Sequence, residues 1–219
     1  MNLTLISCTQ VSNNDSPETF KRLEPVAITD LQTHGRLPTV LVPPADDPAY
    51  IEGLISAARE QVEGYECRIQ LLDATYDGYL DSFPCANVIE LPKPPLLDVV
   101  GVFYIDTDGV EREFTSWTDK LNWTPGVIPS ELPAPGYILL DYEESWPSTR
   151  CQPDAVRIRF RCGFGDEAAD VPRAIKQWIM IAAGTMYEHR EKEISGTIIS
   201  RFEFIGGLLD PWRARRIVA

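Results

Sequence analysis

The fold prediction starts from residues 47–65, which read DPAYIEGLISAAREQVEGY. Pro48 suits the first turn of a helix, and an Asp at position 46 or 47 can cap it. Apolar residues then recur at steps of three and four, which gives an α-helix with one apolar stripe. This stripe contains Ile51, Leu54, Ile55, Ala58, Val62 and Tyr65. The opposite, polar face contains Glu52, Ser56, Arg59, Glu60 and Glu63.

A second helix is predicted about a hundred residues later, at 171–190, which read VPRAIKQWIMIAAGTMYEHR. Acidic residues precede this stretch, and His189 and Arg190 close it, which complements the dipole of a helix. The apolar positions again fall on one face. They are Ile175, Trp178, Ile179, Ala182, Ala183 and Met186.

The intervening residues 67–164 have the pattern of β-strands. Two strand-like segments, 99–105 and 110–115, flank the Asp108-Gly109 pair, which is typical of a tight hairpin turn. Near the end of this region, Arg157, Arg159 and Arg161 alternate with apolar residues. Because side chains alternate between the two faces of a strand, this pattern predicts one basic, solvated face and one packed face.

We therefore predict an α+β protein with a helical core that carries an inserted antiparallel β region. The core consists of two long amphipathic helices plus short terminal helices, near Thr29 and at 208–216. The predicted division has an N-terminal arm and first helical part at 1–66 and an inserted β region at 67–165. A second core helix follows at 166–193, and a C-terminal arm at 194–219.

The charge of the chain restricts its partners. Its 219 residues include 20 Lys and Arg and 33 Asp and Glu, so the net charge is −13. An acidic surface repels phosphate backbones, which excludes nucleic-acid binding by electrostatic attraction. The sequence has no apolar run of 18 residues, and we expect no membrane span.

No motif in the sequence predicts an enzyme, a metal or a cofactor. Gly-rich phosphate loops, a Gly-x-Ser-x-Gly motif and Cys-x-x-Cys spacing are all missing, and the two histidines are far from any cysteine in sequence. The stretch Asp106-Thr107-Asp108-Gly109 resembles the start of a calcium loop, but Trp117 stands where that loop needs Glu. A solvated face is a simpler explanation of Asp73, Asp77 and Asp81 than a catalytic carboxylate pair.

The segment 208–216 reads LLDPWRARR and combines apolar anchors, a Trp and three arginines. Trp and Arg are the side chains most enriched at interface hot spots. A terminal helix that folds onto its own core would explain the same residues equally well, so the sequence leaves both interpretations open. The candidate docking residues are Leu208, Leu209, Pro211, Trp212, Arg213, Arg215 and Arg216.

Taken in order, six segments of the chain resemble the head–tail connector proteins of tailed double-stranded DNA bacteriophages, also called adaptor or head-completion proteins. They are EPVAITDL at 24–31, residues 51–65, IELPKPPLLDVVGVFYID at 89–106, VRIRFRCGFG at 156–165, residues 171–190, and LLDPWR at 208–213. The agreement covers roughly residues 24–213. The chain departs from the family in a first helix broken by Gly35 and Pro38, and in a longer loop at 116–135.

The resemblance implies a structural virion protein and no enzymatic activity. Its members form a ring of about twelve copies below the portal, extend the DNA channel and join the capsid to the tail. The implied partners are the portal protein, a stopper or tail-terminator protein of the neck, and copies of the chain itself. DNA would pass through without specific binding, and the protein would assemble in the host bacterial cytoplasm before it resides in the virion neck.

The resemblance also suggests roles for two groups of residues. In such adaptors the C-terminal segment commonly docks on the portal, which implies that role for residues 208–216. The basic strand face of Arg157, Arg159 and Arg161 would meet the acidic body of a neighbouring subunit. The alternative is a different class of protein, a soluble ligand- or carbohydrate-binding module with a β insertion. Trp117, Trp123 and Trp146 would form its binding platform.

Overall fold

The computed structural model describes residues 1–8, 10–11, 21–35, 48–121, 135–188 and 207–213. Three α-helices lie in these ranges: α1 (Ile28–Gly35), α2 (Pro48–Gln61) and α3 (Arg173–Glu188). A π-helical turn (Val62–Glu66) continues α2, and 3-10 turns cover Ala168–Asp170 and Asp210–Trp212. The strands are β1 (Asn2–Cys8), β2 (Gln10–Val11), β3 (Lys21–Arg22), β4 (Ala74–Leu80), β5 (Val88–Glu90), β6 (Leu96–Ile105), β7 (Glu111–Phe114), β8 (Trp117–Lys120), β9 (Tyr137–Leu140) and β10 (Val156–Cys162).

The strands form a five-stranded sheet in the order β1-β4-β10-β6-β7, in which every neighbouring pair is antiparallel. A smaller antiparallel sheet has the order β5-β9-β8, and β2 pairs with β3. Strand β1 from the start of the chain pairs with β4, more than sixty residues later. The large sheet therefore joins the first residues of the chain to the region that the sequence analysis treated as an insertion.

Two hydrophobic clusters hold these elements together. The first lies between the helices and the segment 67–72, and its centre includes Leu31, Ile55 and Ile179, all fully or almost fully buried. The second lies between the two sheets, around Ile138, Ile158 and Phe160. Burial of apolar area of this kind is the main stabilising term of a fold. Each layer of the molecule therefore has its own packed interior.

The fold-class prediction of a helical core with two long helices is wrong. Within the described ranges the protein is mostly β, with ten strands and three helices. Helices α2 and α3 have only 14 and 16 residues, and each buries one stripe. The physical reason is that the strands between them pair with one another and with β1 to form sheets with a separate core.

Several local predictions agree with the structure. Helices begin at Pro48 and Arg173, within two residues of the predicted starts. The hairpin between β6 and β7 turns at Asp106–Val110, where the Gly109 N–H donates to the Asp106 carbonyl over 3.0 Å and Gly109 has φ of +86°. Two predictions fail: segment 208–216 forms only one 3-10 turn in its described part, and β8 lies inside the predicted loop 116–135.

A buried polar network joins the helical layer to the sheet, and it includes two residues of the polar face of α2. Arg59 and Glu63 are only 3% and 5% exposed. Arg59 donates to Glu24 over 2.9 Å and to Glu63 over 2.8 Å. Glu63 also accepts a bond from Gln70 over 3.2 Å, and Gln70 accepts one from the Tyr76 hydroxyl over 2.9 Å. The chain before α1, helix α2 and strand β4 are thus tied to one another by buried hydrogen bonds.

Candidate functional site

The arginine strand is β10, the central strand of the large sheet. Its apolar residues Ile158 and Phe160 are fully buried, whereas the arginine side chains lie on the opposite face. The predicted alternation of a packed face and a solvated face is therefore confirmed. The side-chain exposed fraction rises along the strand, from 21% at Arg157 to 36% at Arg159 and 45% at Arg161.

Each of these arginines is already paired within the chain. Arg159 donates two parallel bonds of 2.8 Å to Asp77 on β4. Arg157 pairs with Glu111 over 2.8 Å and lies 4.3 Å above the ring centre of Phe103. Arg161 pairs with Asp73. The face therefore carries a row of ion pairs across β4, β10 and β7, not an unbalanced basic surface.

The pairing changes the acid–base behaviour of Asp77. The hydrogen bonds from Arg159, the largest cause, hold the pKa of this carboxyl below its ordinary value, although burial opposes the shift. The same contact raises the pKa of Arg159. Asp73 and Asp77 are thus ion-pair partners of arginines, and Asp81 accepts a bond from the backbone N–H of Asp154 over 3.0 Å. The predicted solvated face is wrong for Asp77, which is only 2% exposed, and this geometry gives all three carboxylates a structural role.

The C-terminal segment folds back onto the helical core in its described part, residues 207–213. Leu209 is fully buried, and Trp212 packs edge-on against Phe164 with 5.7 Å between ring centres. Arg213 donates to Glu66 over 3.1 Å and pairs with Asp210 over 3.3 Å. Of the candidate docking residues, Pro211 and Arg213 are exposed, while Leu208 and Trp212 are half-buried. Arg215 and Arg216 lie outside the described residues.

Two of the three tryptophans of the alternative ligand platform, Trp117 and Trp146, lie in the described residues. Trp146 stacks on Phe83 with 4.8 Å between ring centres and an angle of 7°, and its indole N–H donates to the Ala86 carbonyl over 2.9 Å. Trp117 donates to the Phe114 carbonyl over 2.8 Å. Both indoles are therefore used in packing between the sheets and their loops. Trp123 lies outside the described residues.

In the ranges that the structure describes, the other reactive side chains form no arrangement typical of a catalytic site. Among the described residues, no three His, Cys, Asp or Glu side chains are grouped as metal ligands would be. Burial raises the pKa of the Cys67 thiol to about 12, so this thiol is unreactive at neutral pH. His34 lies 3.3 Å from the amide of Gln177, and His189 falls outside the described residues. No described helix has the length and apolar character needed to cross a bilayer.

One surface was not singled out from the sequence: the exposed outer edge of β1. Leu3, Leu5 and Ile6 on this strand, and Met1 directly before it, are 36% to 47% exposed. The sequence signal was present, because these apolar residues alternate with small polar ones and no charged residue occurs before Asp15. What could not be read from the sequence was that the strand would form the end of a sheet.

Comparisons with known proteins concern the fold as a whole. No protein family matches the sequence. No curated protein matches it either. Solved structures do match. A chain in the neck of an empty gene transfer agent particle, computed with C6 symmetry, superposes with a TM-score of 0.72 at 21% identity, over 100% of this chain and 98% of that chain.

Two further structures agree with the first. A chain of the native gene transfer agent virion gives a TM-score of 0.71 at 20% identity, and one in the native neck, computed with C12 symmetry, gives 0.69 at 18%. Both matches cover 100% of this chain and 98% of the other. From its first residue to its last, the chain thus shares its fold with chains of gene transfer agent particles, two of which come from the neck.

Proposed function

We propose that this chain is a structural virion protein of the neck of a phage-like particle. In this proposal it is a head–tail adaptor that forms a ring below the portal, extends the DNA channel and joins the capsid to the tail. The observation that supports the proposal is the end-to-end match to neck chains, with a TM-score of 0.72 over 100% of this chain. The sequence resemblance to connector proteins supports it independently.

The partners follow from this position. The ring would consist of about twelve copies, in keeping with the C12 symmetry of one matching neck. It would contact the portal on one side and a stopper or tail-terminator protein on the other. The protein would assemble in the host bacterial cytoplasm and reside in the virion neck, with no membrane involved.

The charge of the chain fits a channel through which DNA passes. With a net charge of −13, twelve copies would give the ring a strongly negative field. Such a wall repels phosphates, so DNA can slide without specific binding. The same charge means that neighbouring copies repel one another except where their contact surface is neutral or complementary.

The structure refines the proposed docking role of the C-terminal segment. Leu209 and Trp212 would anchor the segment on its own core, because they are packed against it. Pro211 and Arg213 are exposed and would contact the portal. Leu208, Arg215 and Arg216 complete the proposed docking set.

The subunit-interface role of Arg157, Arg159 and Arg161 also stays a proposal, in a modified form. Each guanidinium has five N–H donors, and the in-chain carboxylates use only some of them. A carboxylate of the neighbouring copy could therefore share a guanidinium without breaking its existing ion pair. Arg161, the most exposed of the three, is the best placed for such sharing.

Arg213→Ala tests the docking proposal. We expect it to weaken binding to the portal protein of the same particle by about tenfold or more, because Arg residues at interfaces often act as hot spots. The side chain is 47% exposed, so the fold should survive its loss. Surface plasmon resonance on immobilised portal rings measures the affinity, and Arg150→Ala, another exposed arginine, is the control. Equal binding by wild type, Arg213→Ala and Trp212→Ala would refute the docking role.

A further inference from the structure

The two ends of the five-stranded sheet differ in length and charge. Strand β1 forms one end, with seven residues and no charged side chain. Strand β7 forms the other end, with four residues of which three are charged. Native sheets usually protect their edges with charges or by keeping them short, because an unpaired edge accepts another strand. In the described part of the chain, β1 has neither form of protection, whereas β7 is short and charged but has Glu111 and Arg112 paired within the chain.

The apolar side chains of β1 extend the packed face of the sheet into solvent. Leu5 lies opposite Tyr76 in the pairing with β4, and Leu3 lies opposite Gly78. Tyr76 stacks on the fully buried Phe160, so this face belongs to the core between the sheets. Leu3 is nevertheless 36% exposed and Leu5 46%. The core therefore continues onto β1 but is not covered there.

The absence of charged side chains favours the β1 edge for contact between copies. Two chains that each carry −13 repel one another, so a shared interface is most favourable where charge is absent or is balanced within the chain. The segment before Asp15 has no Asp, Glu, Lys, Arg or His. At the opposite end of the sheet, the charges of β7 are largely balanced within the chain. Glu111 pairs with Arg157 over 2.8 Å, and Arg112 pairs with Asp106.

We propose that β1 is the edge onto which a second copy of this chain docks, by adding its β7 strand. This inference rests on the proposed ring. A closed ring needs two different, complementary surfaces on every copy, and the two end strands of one sheet provide such a pair. Strand addition supplies backbone hydrogen bonds, and the added copy covers the exposed leucine row. The large sheets of neighbouring copies then form one continuous sheet around the ring.

The double variant Leu3→Lys/Leu5→Lys tests the proposal. Both side chains are partly exposed in the single chain, so their charges stay hydrated in the monomer but would be buried in the interface. We expect the assembled fraction to fall about tenfold or more at a concentration where the wild type forms rings. Native mass spectrometry gives this fraction. Val100→Lys is the matched control, because Val100 is 51% exposed on the interior strand β6.

Hydrogen–deuterium exchange of the wild type gives a second test that needs no variant. On going from monomer to ring, the backbone amides of residues 2–8 and 111–114 should gain protection together. A ring in which β1 stays unprotected, or a Lys variant that assembles like the wild type, overturns the inference but leaves the proposed function intact. Protection of β1 that arises only when a different neck protein is added also overturns the inference and leaves the proposed function intact. A wild type that never assembles, alone or with portal, overturns both.

Discussion

At the scale of single residues, the least expected feature is Arg59, a charged side chain that is 3% exposed inside the helical layer. Although burial disfavours its charged form, the carboxylates of Glu63 and Glu24 raise its pKa. The arginine therefore stays charged, and it balances the charges of the two carboxylates. A buried ion pair of this kind adds little net stability, but the loss of one partner is costly.

Arg59→Met should lower the free energy of unfolding by about 3–5 kcal/mol, because it leaves Glu63 buried without its cation. Adding Glu63→Gln should restore part of that loss. The neutral amide no longer carries an unpaired charge, while its carbonyl can still accept the bond from the Leu71 N–H. Urea unfolding followed by circular dichroism measures both variants. A loss below about 1 kcal/mol for Arg59→Met, or none relative to the exposed control Arg150→Met, would contradict this account.

The sequence could have indicated this pair but not its burial. Arg59 and Glu63 are four residues apart on one helix, a spacing at which opposite charges meet. The sequence correctly placed both residues on the polar face of α2, but it did not show that this part of the face is buried. Glu24, Gln70 and Tyr76 cover that face, and all three come from other parts of the chain.

At the scale of elements, β4 and β10 are held together by ion pairs on the face opposite the core. Asp77 is the central carboxylate, with bidentate bonds of 2.8 Å from Arg159 and a longer contact of 3.7 Å to Arg157. Bidentate arginine–carboxylate pairs are stronger and more directional than single hydrogen bonds. The register of the two central strands is therefore fixed on one face by packing and on the other by charge.

This ion pair makes stability depend on pH in a defined window. Because the folded pKa of Asp77 is lowered, its contribution is present above the unfolded pKa of about 3.9 and is lost as pH falls through the folded pKa. Asp77→Asn should thus destabilise the protein by about 1–3 kcal/mol at pH 7. The difference from wild type should shrink below pH 4.

Urea unfolding at pH 7, 5 and 3 measures the effect, and Glu90→Gln on the exposed edge of β5 is the control. A difference between wild type and Asp77→Asn that is the same at all three pH values would show that the Asp77 charge does not contribute to folding.

Elements with strong local signals could be predicted, whereas their pairing could not. The apolar stripes of α2 and α3, the Asp108-Gly109 turn and the alternation along β10 are all local patterns, and the structure contains each of them, although Tyr65 of the predicted α2 stripe is 76% exposed. The pairing of β1 with β4 depends on residues far apart in sequence, so no local pattern could show it. Segment 208–213 packs on Phe164, one of the two alternatives that its composition left open.

At the scale of the whole molecule, the two helices with the clearest periodicity form only a small part of the fold. Periodicity is strongest where one face of an element is buried and the other solvated, as in α2 and α3. The strands have weaker signals because several are short, such as β5 and β8 with three and four residues. The result is a mostly β protein in which the helices cover one cluster and the sheets enclose another.

At the same scale, the net charge of the chain restricts where copies can contact one another. Copies that each carry −13 need neutral or charge-balanced contact surfaces, and the ion-paired face of β10 and the uncharged edge of β1 are two such surfaces. Both lie on the five-stranded sheet, so this sheet would carry the contacts between subunits. The helical layer would then be left for the portal, because residues 207–213 pack against it.

Cryo-electron microscopy of the purified protein mixed with the portal protein of the same particle tests the central claim most directly. We expect the chain to form a closed ring of about twelve copies, stacked on the portal and coaxial with its channel. Images in which portal rings remain bare, while this chain stays monomeric at saturating concentration, would contradict the proposal that it is the adaptor of a virion neck.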